Sequence, residues 1–82
     1  MNKEKLSEIV GWYGTAAIVG AYALSSFGLI SPQSFFYQFL NVTGAIGIVL
    51  ISLRKKVYQP AVLNIIWTVI GLVALLKILF KI

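Results

Sequence analysis

Tyr22, Asn41, Asn64, Trp67 and Thr68 are the side chains inside the long apolar stretches of this sequence best suited to meet a solute. Amides, hydroxyls and an indole N–H exchange hydrogen bonds with neutral or weakly polar molecules, but none of them is a poised acid, base or nucleophile. The chain has no histidine and no cysteine, and its only acids, Glu4 and Glu8, precede the first apolar stretch. We therefore expect no enzyme, no metal centre and no cofactor. Proton coupling through a membrane-embedded carboxylate is equally disfavoured. What remains is passage of a small solute along hydrogen-bonding groups, or no solute chemistry at all.

The elements that must position these groups are apolar helices. Of 82 residues, 60% are hydrophobic and 11% charged, and the mean hydropathy is +0.95. A soluble domain this small would need far more polar surface. No charge falls between Glu8 and Arg54, a length that lipid explains and water does not. The segment is punctuated at Ser31, Pro32, Gln33 and Ser34, with Ser31 expected as an N-cap and Pro32 as a first helical residue. The sequence thus predicts one all-α membrane domain, a three-transmembrane-helix bundle. Its parts are an amino-terminal segment 1–8, spans at 9–30, 32–53 and 60–80, and a basic loop 54–59. Each span is near the roughly 20 residues that cross a bilayer.

Three crossings place Lys3, Lys5, Arg54, Lys55 and Lys56 on one side and only Lys77 and Lys81 on the other. Positive charge favours the cytoplasmic side, so the amino terminus is expected inside and the carboxyl terminus outside. The same rule accounts for the net charge of +5 without nucleic acid, for which no soluble basic face exists. The partners expected are the lipid bilayer, with attraction to anionic lipid as a by-product of orientation, and further copies of the chain.

On the first helix Gly14, Ala17, Ala21, Ser25 and Gly28 fall within an arc of about 80°. A stripe of small residues lets another backbone approach closely. Ala16, Gly20 and Ala23 form a second small face, and a helix contacted on two sides suits a three-helix bundle, an oligomer, or both. Gly44 on the second helix and Gly71 on the third lie on polar, small faces with Asn41 and with Asn64, Trp67 and Thr68. Measured from the span centres, Tyr22 and Asn41 lie at similar depth, where they could meet, and Asn64 lies nearer the inner surface. Trp12, Tyr13, Phe35, Phe36, Tyr37 and Tyr58 read as interfacial aromatic belts.

Gly11-Trp12-Tyr13-Gly14, Ala21-Tyr22-Ala23-Leu24, the run from Tyr37 to Ala45, and then Pro60, Leu63-Asn64 and Trp67 carry a resemblance over nearly the whole chain. They resemble a bacterial family of very small three-helix inner-membrane proteins whose function is unknown and whose members are sometimes labelled permeases. A looser similarity is to the SemiSWEET sugar transporters, three-helix proteins that act as homodimers, through Pro32-Gln33 and Asn64. Here the Pro-Gln pair follows the first apolar run instead of interrupting it, and no tryptophan lies in the second helix. The resemblance implies a bacterial inner-membrane, permease-like homo-oligomer. An accessory subunit of a larger membrane complex and a holin-like pore former are the competing expectations.

Overall fold

A computed structural model describes residues 2–82. It contains three helices and, among the described residues, no strand: α1 Lys3–Ser26, α2 Phe35–Arg54 and α3 Tyr58–Phe80. Asn2 caps α1, its side chain accepting from the Lys5 N–H at 2.8 Å, and Ser34 caps α2 by accepting from the Tyr37 N–H. Both satisfy a first-turn donor that the helix itself cannot. α3 starts after Val57 with no side-chain cap. Pro60 occupies its first turn, where the missing N–H leaves nothing unbonded.

α1 begins at Lys3 and α3 at Tyr58, earlier than the spans expected from residues 9 and 60, because the polar flanks join the helices; two other ends differ for reasons visible in their turns. α1 stops at Ser26 and not near Ile30, because Gly28 adopts φ +75° and turns the chain out of the helix. The Leu29 N–H donates to the Leu24 carbonyl at 2.8 Å and the Gly28 N–H to the Ser25 carbonyl at 3.1 Å, the paired bonds of a Schellman stop. Gly28 is thus a helix terminator in the open, and its place in the packing stripe is corrected. α2 begins at Phe35, not Pro32, because the Ser31 hydroxyl accepts the Gln33 N–H inside the turn. Ser34, three residues later, does the capping.

α2 ends in the same Schellman geometry, with the Val57 N–H donating to the Ser52 carbonyl at 2.9 Å, but Lys56 takes the left-handed position at φ 59°. A side chain there costs about 1 kcal/mol relative to glycine. Lys56→Gly is expected to raise stability by about that amount, read as a shift in the midpoint of denaturant unfolding in micelles. An unchanged or lowered midpoint would show that the turn is not held in this conformation.

The three helices do not close on one another. α2 packs against both neighbours, whereas no Cα of α1 comes within 8 Å of α3. The expected bundle is therefore open on one side, with α2 carrying both seams. The α1–α2 seam is built from Gly11, Gly14 and Ala17 against Gly44 and Gly47. A Cβ on Gly14 would run into the Gly44 carbonyl, and one on Gly47 would sit 2.7 Å from the Val10 carbonyl. The α2–α3 seam has Val42 against Gly71, where a Cβ would approach the valine methyl to 2.6 Å.

The buried set consists of small and polar side chains: Ala17, Ala21, Val42, Ala45 and Ala61, with Asn41 and Ser52. Large apolar groups point outward along all three helices, Trp12 at 70% exposure among them. This inverts the distribution in a water-soluble domain. α2 and α3 are long and apolar enough to cross a membrane. α1 is less apolar because it starts with Lys3, Glu4, Lys5 and Glu8, because Gly, Tyr, Thr and Ser interrupt the rest, and because Leu29 and Ile30 fall outside the helix.

Candidate functional site

The α2–α3 seam opens beside Asn41 into a cleft of about 470 Å³. Pro32 and Gln33 of the turn, Gln38 and Asn41 of α2, and Trp67 and Ala74 of α3 are among the residues that line it. Gly71, small like Ala74, is also among its lining residues. Gln38 is held by donating its amide to the Pro32 carbonyl at 3.0 Å, which ties the turn to the first part of α2.

Asn41 is the chemically distinctive group. It is only 4% exposed. Its Nδ2 donates to the Tyr37 carbonyl one turn earlier at 3.1 Å, and its Oδ1 accepts the Trp67 indole N–H at 3.4 Å. The second of these is long for an N–H···O bond. A primary amide has two donor hydrogens and two acceptor lone pairs. Two of Asn41's four bonding positions are therefore occupied by protein, which leaves one N–H and one lone pair on a residue that lines the cleft. Away from water an amide gains most from an additional partner, since its hydrogen bonds are stronger where the dielectric is low.

The remaining candidates are placed differently from the sequence expectation. Tyr22 is 68% exposed on the outer face of α1, and Asn41 makes its interhelical bond to Trp67 on α3. The expected meeting of Tyr22 and Asn41 does not occur among their hydrogen bonds. The reason is the seam: α1 docks through Gly14, Ala17 and Ala21, and Tyr22, one position on, is rotated about 100° away from it. Asn64 donates to the Pro60 carbonyl at 2.9 Å, and Thr68 donates to the Asn64 carbonyl at 2.7 Å. Both hydroxyl and amide thus bond back to their own helix, as expected for such side chains in apolar surroundings. Asn64 lies on a different opening from Asn41, while Trp67 lines both. Asn41 and Asn64 thus belong to two separate openings that share one indole, and Tyr22 and Thr68 line neither.

Of the packing residues, Gly14, Ala17, Ala21, Gly44 and Gly71 are buried, Ser25 is half-buried and Gly28 is exposed. Sequence reasoning passed over Gly11 and Gly47, whose spacing of three from Gly14 and Gly44 extends each small face by a turn. It also missed the bond between the Tyr13 hydroxyl and the Thr43 hydroxyl at 2.6 Å, which links α1 to α2. Reading Tyr13 as a belt residue hid that partner. At the basic end, Arg54 pairs with Glu4 at 3.3 Å and Lys55 with Glu8 at 2.6 Å. These exposed pairs join the start of α1 to the end of α2 and add little stability.

Three helices with small side chains at their seams, large apolar ones outside, and two helices of membrane-crossing length define the class of chain this is. It belongs to the small uncharacterised family whose model matches residues 7–81. No curated protein and no solved structure matches it.

Proposed function

We propose that the protein is a multi-pass protein of the bacterial inner membrane that works as a permease-like homo-oligomer, passing a small neutral or weakly polar solute. The observation that carries this reading is the buried Asn41 amide, which lines an open cleft with half of its hydrogen-bonding capacity unused. An intramembrane polar group either glues helices or serves a passing solute, and Asn41 has the capacity to do both. The inside-out distribution of large apolar side chains supports lipid as the surroundings. The basic cluster Arg54, Lys55 and Lys56 supports an amino terminus in the cytoplasm and a carboxyl terminus outside. Because the helices of one chain leave the cleft open to the side, a second copy is required to wall a continuous path.

The experiment is a mass measurement of the purified chain in detergent and in nanodiscs, followed by solute-driven swelling of proteoliposomes. A discrete homo-oligomer that admits small neutral solutes is the expected result. A monomer with no flux overturns the proposal. The second reading, an accessory subunit, is favoured by α3, on which only Ala61 and Gly71 are buried. Stoichiometric co-purification with an unrelated membrane protein would establish that reading instead.

A further inference from the structure

Because α1 and α3 stay apart, a furrow runs over α2, between α1 and α3 in its upper part and along α1 and α2 alone in its lower part. Its upper part, about 340 Å³, is lined by Ile18, Val19, Ile48 and Leu63, with Asn64 and Trp67 on α3. Its lower part, about 200 Å³, lies among Gly11, Trp12 and Ile51 and ends at Glu8 and Lys55. Thr15 and Ile48 line both parts, so the two are continuous. The Thr15 hydroxyl donates to the Gly11 carbonyl at 3.1 Å, which satisfies it within α1 and leaves its methyl for the furrow. The result is an almost wholly apolar trough with its one charged end at the basic side of the molecule.

Lys3, Lys5, Arg54, Lys55 and Lys56 gather at that end against only Glu4 and Glu8. Lys55 bonds Glu8 through one of its three donor positions and keeps two. Lys3, Lys5 and Lys56 pair with no carboxylate among the described residues. Trp12, at 70% exposure beside the mouth, is the type of side chain that sits at the headgroup level. A mouth where Lys55 keeps two donor positions beside its Glu8 partner, at the basic end of the molecule, followed by an interfacial indole and an apolar trough, matches a single amphiphile with an anionic head.

We propose that this furrow seats one anionic phospholipid of the inner leaflet, its acyl chain along Ile18, Ile48 and Leu63 and its phosphate at Lys55 and Lys56. The inference rests on the membrane reading above but not on solute passage, since the Asn41 cleft lies on the other side of Trp67. A bound chain would also fill the space that keeps α1 from α3.

Trp12 and Trp67 are the chain's two tryptophans, and both line the furrow. In the Trp12→Phe protein, reconstituted in phosphatidylcholine vesicles, Trp67 emission reports on the upper furrow. A small fraction of chain-brominated phosphatidylglycerol is expected to quench it more than the same fraction of brominated phosphatidylcholine. The Lys55→Gln, Lys56→Gln double variant should reduce that preference by about fivefold or more. Thr15→Phe, which plugs the junction without changing charge, should remove the excess quenching. The proposal is overturned by equal quenching from both lipids, or by a preference that survives both sets of substitutions. Vesicles made wholly of brominated phosphatidylcholine separate the failures. Quenching of Trp12 in the Trp67→Phe protein, together with no quenching of Trp67 in the Trp12→Phe protein, would mean that a second copy or partner helix fills the furrow, and only this proposal falls. Quenching of neither tryptophan would overturn the membrane reading with it.

Discussion

Gly14→Ala is expected to lower stability by about 2–3 kcal/mol through loss of α1–α2 docking, while Gly20→Ala leaves it unchanged or raises it by up to about 1 kcal/mol. Both replace glycine in the same helix, so helix propensity cancels between them and only the neighbours differ. A methyl on Gly14 meets the Gly44 carbonyl, a backbone atom that moves only if the helices separate. A methyl on Gly20 meets nothing within 4 Å. The other seam glycines should fall in order between these extremes. Gly47 faces the Val10 carbonyl at 2.7 Å, again backbone, and its substitution should resemble that of Gly14. Gly11 faces the Ile51 side chain at 2.9 Å, which can give, although β-branching limits how far. Unfolding by SDS in mixed micelles, followed by circular dichroism and tyrosine emission, would give the series. Equal midpoints for Gly14→Ala and Gly20→Ala would mean that α1 does not dock on α2 along this face.

Asn41→Leu should leave insertion and oligomer mass intact but reduce solute flux by about tenfold or more, the loss of a hydrogen bond worth at least about 1.4 kcal/mol to a desolvated guest. Leucine has the same four-atom side chain branched at Cγ as asparagine, so the substitution removes the donor and acceptor while keeping the branching. The Trp67 N–H loses its partner in the same variant. Its emission should therefore change even where no solute is present, which shows that the substitution reached the intended place. Asn64→Leu is the matched control, because Asn64 bonds only its own helix and lines the furrow rather than the cleft. At the sequence level the two asparagines are equivalent candidates, and replacing either is expected to stop flux; their placement on opposite sides of Trp67 now predicts that only Asn41 does. Equal loss in both variants would show that the two openings act as one path. Normal flux in Asn41→Leu would remove the cleft from the mechanism.

Helix boundaries show where local signals are sufficient and where they compete. Ser31 and Ser34 are both good N-caps, and Pro32 favours the earlier start. The tie is broken by the Ser31 hydroxyl closing its own turn onto the Gln33 N–H, and by Gln38 reaching back to the Pro32 carbonyl. Gly28 is ambiguous for a similar reason. Its angular position continues the small face of α1, but its freedom to adopt φ +75° is worth more at a helix end than its lack of bulk within the helix. Both bonds that reward that conformation come from Leu24 and Ser25, so the decision is local yet depends on geometry that residue type alone does not reveal.

Composition and period, which act within each stretch of about 20 residues, already separate three apolar helices, place the cations at their ends, and put Gly14, Ala17 and Ala21 on one face of α1. These features follow from hydropathy and from 100° per residue, and they need no knowledge of a neighbour. Which helices touch is a different kind of fact. Close backbone approach at Gly14 and Gly44 and at Val42 and Gly71 gives α2 both seams and leaves α1 and α3 apart. From that single arrangement come Asn41's bond to Trp67 instead of Tyr22, the cleft, and the furrow with its basic mouth. Contacts between helices depend on the rotation of each about its own axis and on what every facing side chain leaves room for, and only the folded chain sets those together.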